Sequence, residues 1–223
     1  NKYWFIATIN LILIFVVQGV SNSAEAYYTK QVLGNSDLVG TFGVAFQLTQ
    51  IMCIVTFIAP LVKKFGKRNV LLAGAVVMTI GYAIMGIGAK SMQLLIAGCV
   101  LRGIGNAGVS ACQFAMVTDT IEYGEWKTVI RTEGLVNSAA SFGQKIGNGL
   151  SVLILSIILN IGGYVGTAAT QTAGAIMSIK ATYIYVPILL TAVQFVILLF
   201  YKLDKEYPAI LADLQKRRIR EMV

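Results

Sequence analysis

Six apolar blocks, each close to the 20 or so residues a helix needs to cross a hydrocarbon core, set what this chain can fold into. They cover residues 3–28, 38–62, 69–89, 92–117, 134–161 and 181–201; the first is continuously apolar from Tyr3 to Val20 and is expected to run on as helix to Tyr28. Apolar residues do not alternate within them, and strands satisfy their backbone in lipid only as a closed barrel. The expectation is an all-α membrane protein, a bundle of six transmembrane helices. A composition of 57% hydrophobic and 13% charged residues excludes an ordinary water-soluble domain and a disordered chain alike.

The net charge of +8 resolves into loops. Lys2, Lys63, Lys64, Lys67, Arg68, Lys127, Arg131, Lys202, Lys205, Lys216, Arg217, Arg218 and Arg220 fall on one side of the six blocks, against Lys30, Lys90 and Lys180 on the other. This asymmetry places both termini in the cytoplasm, with membrane lipid as a partner and no nucleic acid. Residues 203–223 read as a basic cytoplasmic tail, in which Lys216-Arg217-Arg218-Ile219-Arg220 serves as a topology signal and contacts anionic lipid. The chain opens on Asn1 with an apolar block following at once, which reads as a piece of a longer polypeptide. Six helices with both ends inside is the size of one half of a twelve-helix carrier.

There is no His, so imidazole metal sites, general bases and pH switches are absent. No metal site or cofactor is expected. Cys53, Cys99 and Cys112 stand singly in apolar blocks and read as small buried side chains. With no acid pair at mid-span and no nucleophile beside a base, an intramembrane enzyme finds no support.

Gly103-Ile104-Gly105-Asn106-Ala107-Gly108 satisfies GxGxxG but lies inside a long apolar helix beside Arg102, without the preceding strand that dinucleotide binding requires. Its glycines, like Gly143 and Gly147, read as points where helices approach closely. Three polar stripes are more informative. At 100° per residue, Asn137, Ser141, Lys145 and Asn148 lie at about 0°, 40°, 80° and 20°, and Arg102, Asn106, Ser110 and Gln113 repeat those angles. Asn10, Gln18, Ser21, Glu25 and Tyr28 fall within an arc of about 80° on the first block.

Lys145, near mid-membrane, must face water, a carboxylate or a ligand, and three stripes converging on one cavity would provide that setting. Arg102 either serves the same cavity, pairs with acids to hold the bundle, or snorkels to an interface. Glu25, near the outer end of its block, reads as a rim residue. Between the fourth and fifth blocks, Asp119, Glu122, Glu125 and Lys127 precede Arg131 and Glu133, the densest charge cluster in the chain. It is either a solvated connector or a set of ion pairs that make and break on the cytoplasmic side.

The run Met116-Val117-Thr118-Asp119-Thr120-Ile121-Glu122-Tyr123-Gly124-Glu125-Trp126-Lys127, followed by Arg131-Thr132-Glu133-Gly134 and Ser141-Phe142-Gly143-Gln144-Lys145-Ile146-Gly147, resembles the glycoside-pentoside-hexuronide:cation symporters. These are the melibiose permease-like branch of the major facilitator superfamily. Ala26-Tyr27-Tyr28 with Leu33-Gly34, and Gly162-Gly163-Tyr164, fit as well, and the likeness covers essentially the whole chain as the family's C-terminal six helices. It implies transport of a sugar or glycoside (glycoside, pentoside or hexuronide) coupled to sodium or a proton, by alternating access across the cell membrane. It also implies a central position for Lys145 with Ser141 beside the sugar, and cytoplasmic gating by Asp119, Glu122, Glu125 and Arg131. Ser110 stands where melibiose permease has a sugar-stacking tryptophan, which points away from a melibiose-like substrate. The cation-binding carboxylates belong to the family's N-terminal half, the expected partner in the same polypeptide. A non-transporting scaffold or sugar sensor on the same fold is the alternative.

Overall fold

The computed structural model describes residues 1–88, 91–130, 133–168 and 170–221, with the side chains of residues 133, 135, 137, 139, 218, 220 and 221 outside the description. Helix α1 spans Lys2–Tyr27, α2 Leu38–Cys53, α3 Ala59–Phe65, α4 Lys67–Ile87, α5 Met92–Thr128, α6 Glu133–Ile161, α7 Ala173–Lys180, α8 Val186–Leu199 and α9 Leu203–Glu221. Short π-helical turns continue three of them: Tyr28–Val32 after α1, Ile54–Ile58 between α2 and α3, and Ala181–Tyr185 between α7 and α8. The described residues therefore make six helical stretches long and apolar enough to cross a membrane.

Two of the π turns have a covalent cause. Ile54–Ile58 ends two residues before Pro60, and Ala181–Tyr185 ends two residues before Pro187. A proline has no N–H for the carbonyl four residues back and crowds it, so the ladder widens by one residue ahead of the ring. The sixth crossing begins at Ala173 rather than at 181, because Thr172 caps α7 by accepting the Ala175 N–H at 3.2 Å and the helix runs through Lys180. The fourth crossing extends eleven residues past 117. Asp119 to Lys127 is consequently the end of a continuous helix rather than a loop.

α5 is the centre of the bundle, packing on α4, α2, α1 and α6, while α8 lies against α4 and α1. The GxGxxG glycines bring it close to two neighbours. A Cβ at Gly103 would lie 2.6 Å from the Phe46 carbonyl of α2, one at Gly105 2.5 Å from the Gly74 carbonyl of α4, and one at Gly108 3.1 Å from Val70. At the α1–α6 seam, Gly147 does the same, its absent Cβ lying 2.9 Å from the Ile12 carbonyl. α6 buries Val136, Ala140, Gly143, Gly147, Ser151, Leu155 and Leu159 at three- and four-residue spacing, leaving its opposite face bare. α2 buries only Phe42.

Asn1 and helix α9 sit at one end of the bundle, where the Tyr3 hydroxyl donates to Glu206 at 3.2 Å and the Asn1 side chain to the Thr120 carbonyl at 2.9 Å. The basic tail folds as α9 and packs onto this end. Leu203, Ile210 and Leu214 join the same buried cluster as Tyr3, Met116 and Tyr201.

Candidate functional site

α1, α2, α4 and α5 enclose a polar cavity of about 240 Å³ at the depth of Arg102 to Ser110. Gln18 donates to Asn106 at 3.1 Å, and Gln50 donates to Ser110 at 3.0 Å, so two glutamine amides from outer helices hold two polar groups of α5 in place. Ser21 and Tyr82 share a hydrogen bond of 2.5 Å on its wall. Every side chain here is neutral except Arg102, and amides and hydroxyls of this kind read the hydroxyls of an uncharged polar solute.

Arg102 is 2% exposed and is held by aromatic rings, its guanidinium carbon 4.6 Å from the Tyr82 ring centre, 5.3 Å from Phe46 and 5.4 Å from Tyr183. Its Nη1 donates to the Tyr183 hydroxyl at 3.1 Å, which in turn donates to Glu25 Oε2 at 3.0 Å. Glu25 is 8% exposed and 3.9 Å from the guanidinium. The rim expectation for Glu25 is thus corrected, since Tyr183 and Arg102 from neighbouring helices cover it. A charge at this depth is tolerated only with a partner, and each of these is the other's.

The three stripes do not converge within this chain. Those of α1 and α5 meet through Gln18 and Asn106, whereas that of α6 stands apart on the bare face, where Ser138, Ser141, Phe142 and Lys145 line an open depression. Lys145, Ser141 and Asn148 are exposed. The side chain of Asn137 lies outside the described residues. Gln113 is 7% exposed, and its Oε1 meets no donor among the described residues. Sequence reasoning missed Gln47 and Gln50, both on the cavity wall; their signal was two amides one turn apart in an otherwise apolar block.

At the basic end, Lys67 Nζ reaches both oxygens of Asp119 at 2.6 Å, and Asp119 is 3% exposed. The Tyr207 hydroxyl of α9 donates to Glu122, Trp126 Nε1 donates to Asp213 at 3.3 Å, and Arg217 donates to the Trp126 carbonyl at 3.1 Å. Burial and the Glu122 carboxylate push the Tyr207 hydroxyl well above its ordinary pKa. Asp204 caps α4 through the Arg68 N–H at 2.7 Å, and Arg68 donates to the carbonyls of Leu198 and Leu199 at 2.8 Å each. Asp119 and Glu122 are therefore engaged by α4 and α9 of the same bundle. Glu125 is half-buried on α5, and Arg131 lies outside the described residues.

Residues 1–205 match the family described as MFS/sugar transport protein. The chain is 32% identical over 224 residues to the isoprimeverose transporter of Lactiplantibacillus pentosus, covering 99% of this chain and 46% of that one. It is 27% identical over 220 residues to the glucuronide carrier protein homolog of Escherichia coli strain K12, covering 98% and 48% respectively. The chain spans about half the length of these curated relatives. With six apolar crossings and a match along nearly its whole length, the chain is a multi-pass membrane protein that belongs to the MFS/sugar transport proteins, in the glycoside-pentoside-hexuronide:cation symporter family, and its bundle is one half of a major-facilitator fold.

Proposed function

We propose that this chain is the C-terminal half of a plasma-membrane carrier that symports a sugar or glycoside with sodium or a proton by alternating access. The observation that carries the reading is the neutral amide-and-hydroxyl cavity of Gln18, Gln50, Asn106 and Ser110, together with the separate bare α6 face bearing Lys145 and Ser141. A second six-helix half set over both surfaces would enclose a solute between them. On this reading Lys145 is the cation that the missing wall answers, either with a carboxylate or by presenting a solute carboxylate. The coupling cation binds mainly to carboxylates of that other half.

The basic end faces the cytoplasm, following the Lys and Arg asymmetry. On this reading Asp119, Glu122, Glu125 and Arg131 form a gate on that side, with Lys67 and Tyr207 tying Asp119 and Glu122 to their own half. The test is counterflow of labelled glycosides in liposomes containing the complete protein, with sodium and proton gradients imposed separately. Exchange stimulated by one gradient supports the symport reading. Solute binding without exchange would sink it in favour of a sensor.

A further inference from the structure

We propose that the flank of the bundle between α3 and α4 carries a binding site for one anionic phospholipid, seated with an acyl chain along α4 and its phosphate at the basic end. Two adjoining concavities carry the argument. The first is an apolar groove of about 600 Å³ walled by Phe57 and Leu61 on one side and Ala73 and Val77 on the other, with Gly105 in its floor. The second is a pocket of about 330 Å³ whose lining includes the charged residues Arg68, Lys202, Asp204 and Lys205. Phe65 and Asn69 line both, so the groove and the pocket lie side by side.

The two parts match the two parts of a phospholipid. The groove is bare hydrocarbon at membrane depth, with Phe57 62% and Leu61 39% exposed. Glycines at Gly74, Gly105 and Gly108 draw α4 and α5 together and leave a furrow where side chains would otherwise project. Solvation by lipid tails is as favourable as packing on leucine, so the groove alone selects nothing. Selection comes from charge. In the pocket three cations face the single carboxylate of Asp204, which already accepts the Arg68 N–H. Lys202 and Lys205 are exposed and meet no acid among the described residues, and exposed Lys63 and Lys64 stand just before Phe65. A basic pocket between helices at the cytoplasmic side recognises an anionic headgroup.

The test places the complete protein in lipid nanodiscs containing phosphatidylglycerol or phosphatidylethanolamine with a photoactivatable diazirine on the acyl chain. The phosphatidylglycerol probe is expected to label residues 57–61 and 73–77 more strongly than the phosphatidylethanolamine probe. Labelling by phosphatidylglycerol falls about fivefold for K202Q or K205Q and about thirtyfold for the pair, as expected for surface lysines facing an anionic lipid. Ala73→Trp, which fills the groove and alters no charge, abolishes labelling of 57–61 by both probes. Each variant is compared at equal melting temperature and elution volume, so that misfolding is separated from lost binding. Equal labelling by the two lipids, or labelling indifferent to K202Q/K205Q, overturns the anionic selectivity and with it the proposal. Labelling confined to other parts of the protein also overturns it, and is the result required if a second copy or another stretch of chain covers the groove.

Discussion

The Tyr183 hydroxyl stands between Arg102 and Glu25, accepting from the guanidinium at 3.1 Å and donating to the carboxylate at 3.0 Å, while the two charges remain 3.9 Å apart. Removing one partner of such a pair strands the other charge in a low dielectric, at a cost of about 3–5 kcal/mol. Glu25→Leu is therefore expected to lower the melting temperature sharply, and Glu25→Leu with Arg102→Leu to recover most of the loss. Thermal unfolding of the three proteins in detergent checks this. A double variant as unstable as Glu25→Leu would mean that the rings around Arg102, not the carboxylate, hold the site.

Lys145→Ala in the complete protein is expected to cut gradient-driven uptake by about tenfold or more, the scale of one lost hydrogen bond to a charged group of about 1.5–3 kcal/mol. Unchanged uptake would remove Lys145 from the solute site.

The glycine contacts make opposite predictions at two positions. A Cβ at Gly105 would lie 2.5 Å from the Gly74 carbonyl and 2.7 Å from the Met78 nitrogen, both backbone atoms with no freedom to move aside. Gly105→Ala is expected to destabilise by about 1–3 kcal/mol through overpacking. Gly149 of α6 has nothing within 4 Å of its absent Cβ, so Gly149→Ala should be neutral or should stabilise by up to about 1 kcal/mol through helix propensity. Unfolding midpoints of the two variants decide.

These cases also mark what the sequence could reveal. Apolar length alone located the crossings, because lipid demands internally bonded helices and little else competes. The α1 and α5 stripes were legible because helical spacing fixes which residues share a face. Burial of Glu25 was not legible: depth along its own helix places it near an end, whereas Arg102 and Tyr183 arrive from other helices. Tyr82 and Tyr183 look like apolar filling until their hydroxyls find Ser21 and Glu25. The partners of Asp119 and Glu122, Lys67 and Tyr207, are distant in sequence and met only through the docking of α4 and α9 on α5.

Lys67 and Asp119 offer a charge-reversal test. Asp119→Lys alone leaves two cations together in a site where the carboxylate is 3% exposed, and is expected to destabilise strongly. Lys67→Asp with Asp119→Lys restores the attraction and should recover part of the melting temperature. No recovery would show that the orientation of the pair, set by its neighbours, matters more than its sign.

Tyr207 links stability to alkaline pH. Its pKa is raised above the ordinary 10.0 by burial and by the hydrogen bond to Glu122, so the folded state holds a proton that the unfolded chain releases. That contribution is whole below pH 10.0 and is lost as pH climbs above it toward the folded value. The melting temperature of the native protein should fall more steeply between about pH 10 and 11 than that of Tyr207→Phe. Parallel curves would mean that the hydroxyl donates nothing to the fold.

α2 and α8 each adjoin a π turn ahead of a proline, but α5 runs from Met92 to Thr128 with neither a proline nor a π turn. At about 1.5 Å per residue, Asn106 on the cavity and Asp119 at the basic end are about 20 Å apart along one unbroken shaft. The residues that hold Gln18 and Gln50 and those that α9 contacts therefore share one continuous helix. The cavity and the α9 collar are two handles on the same axle.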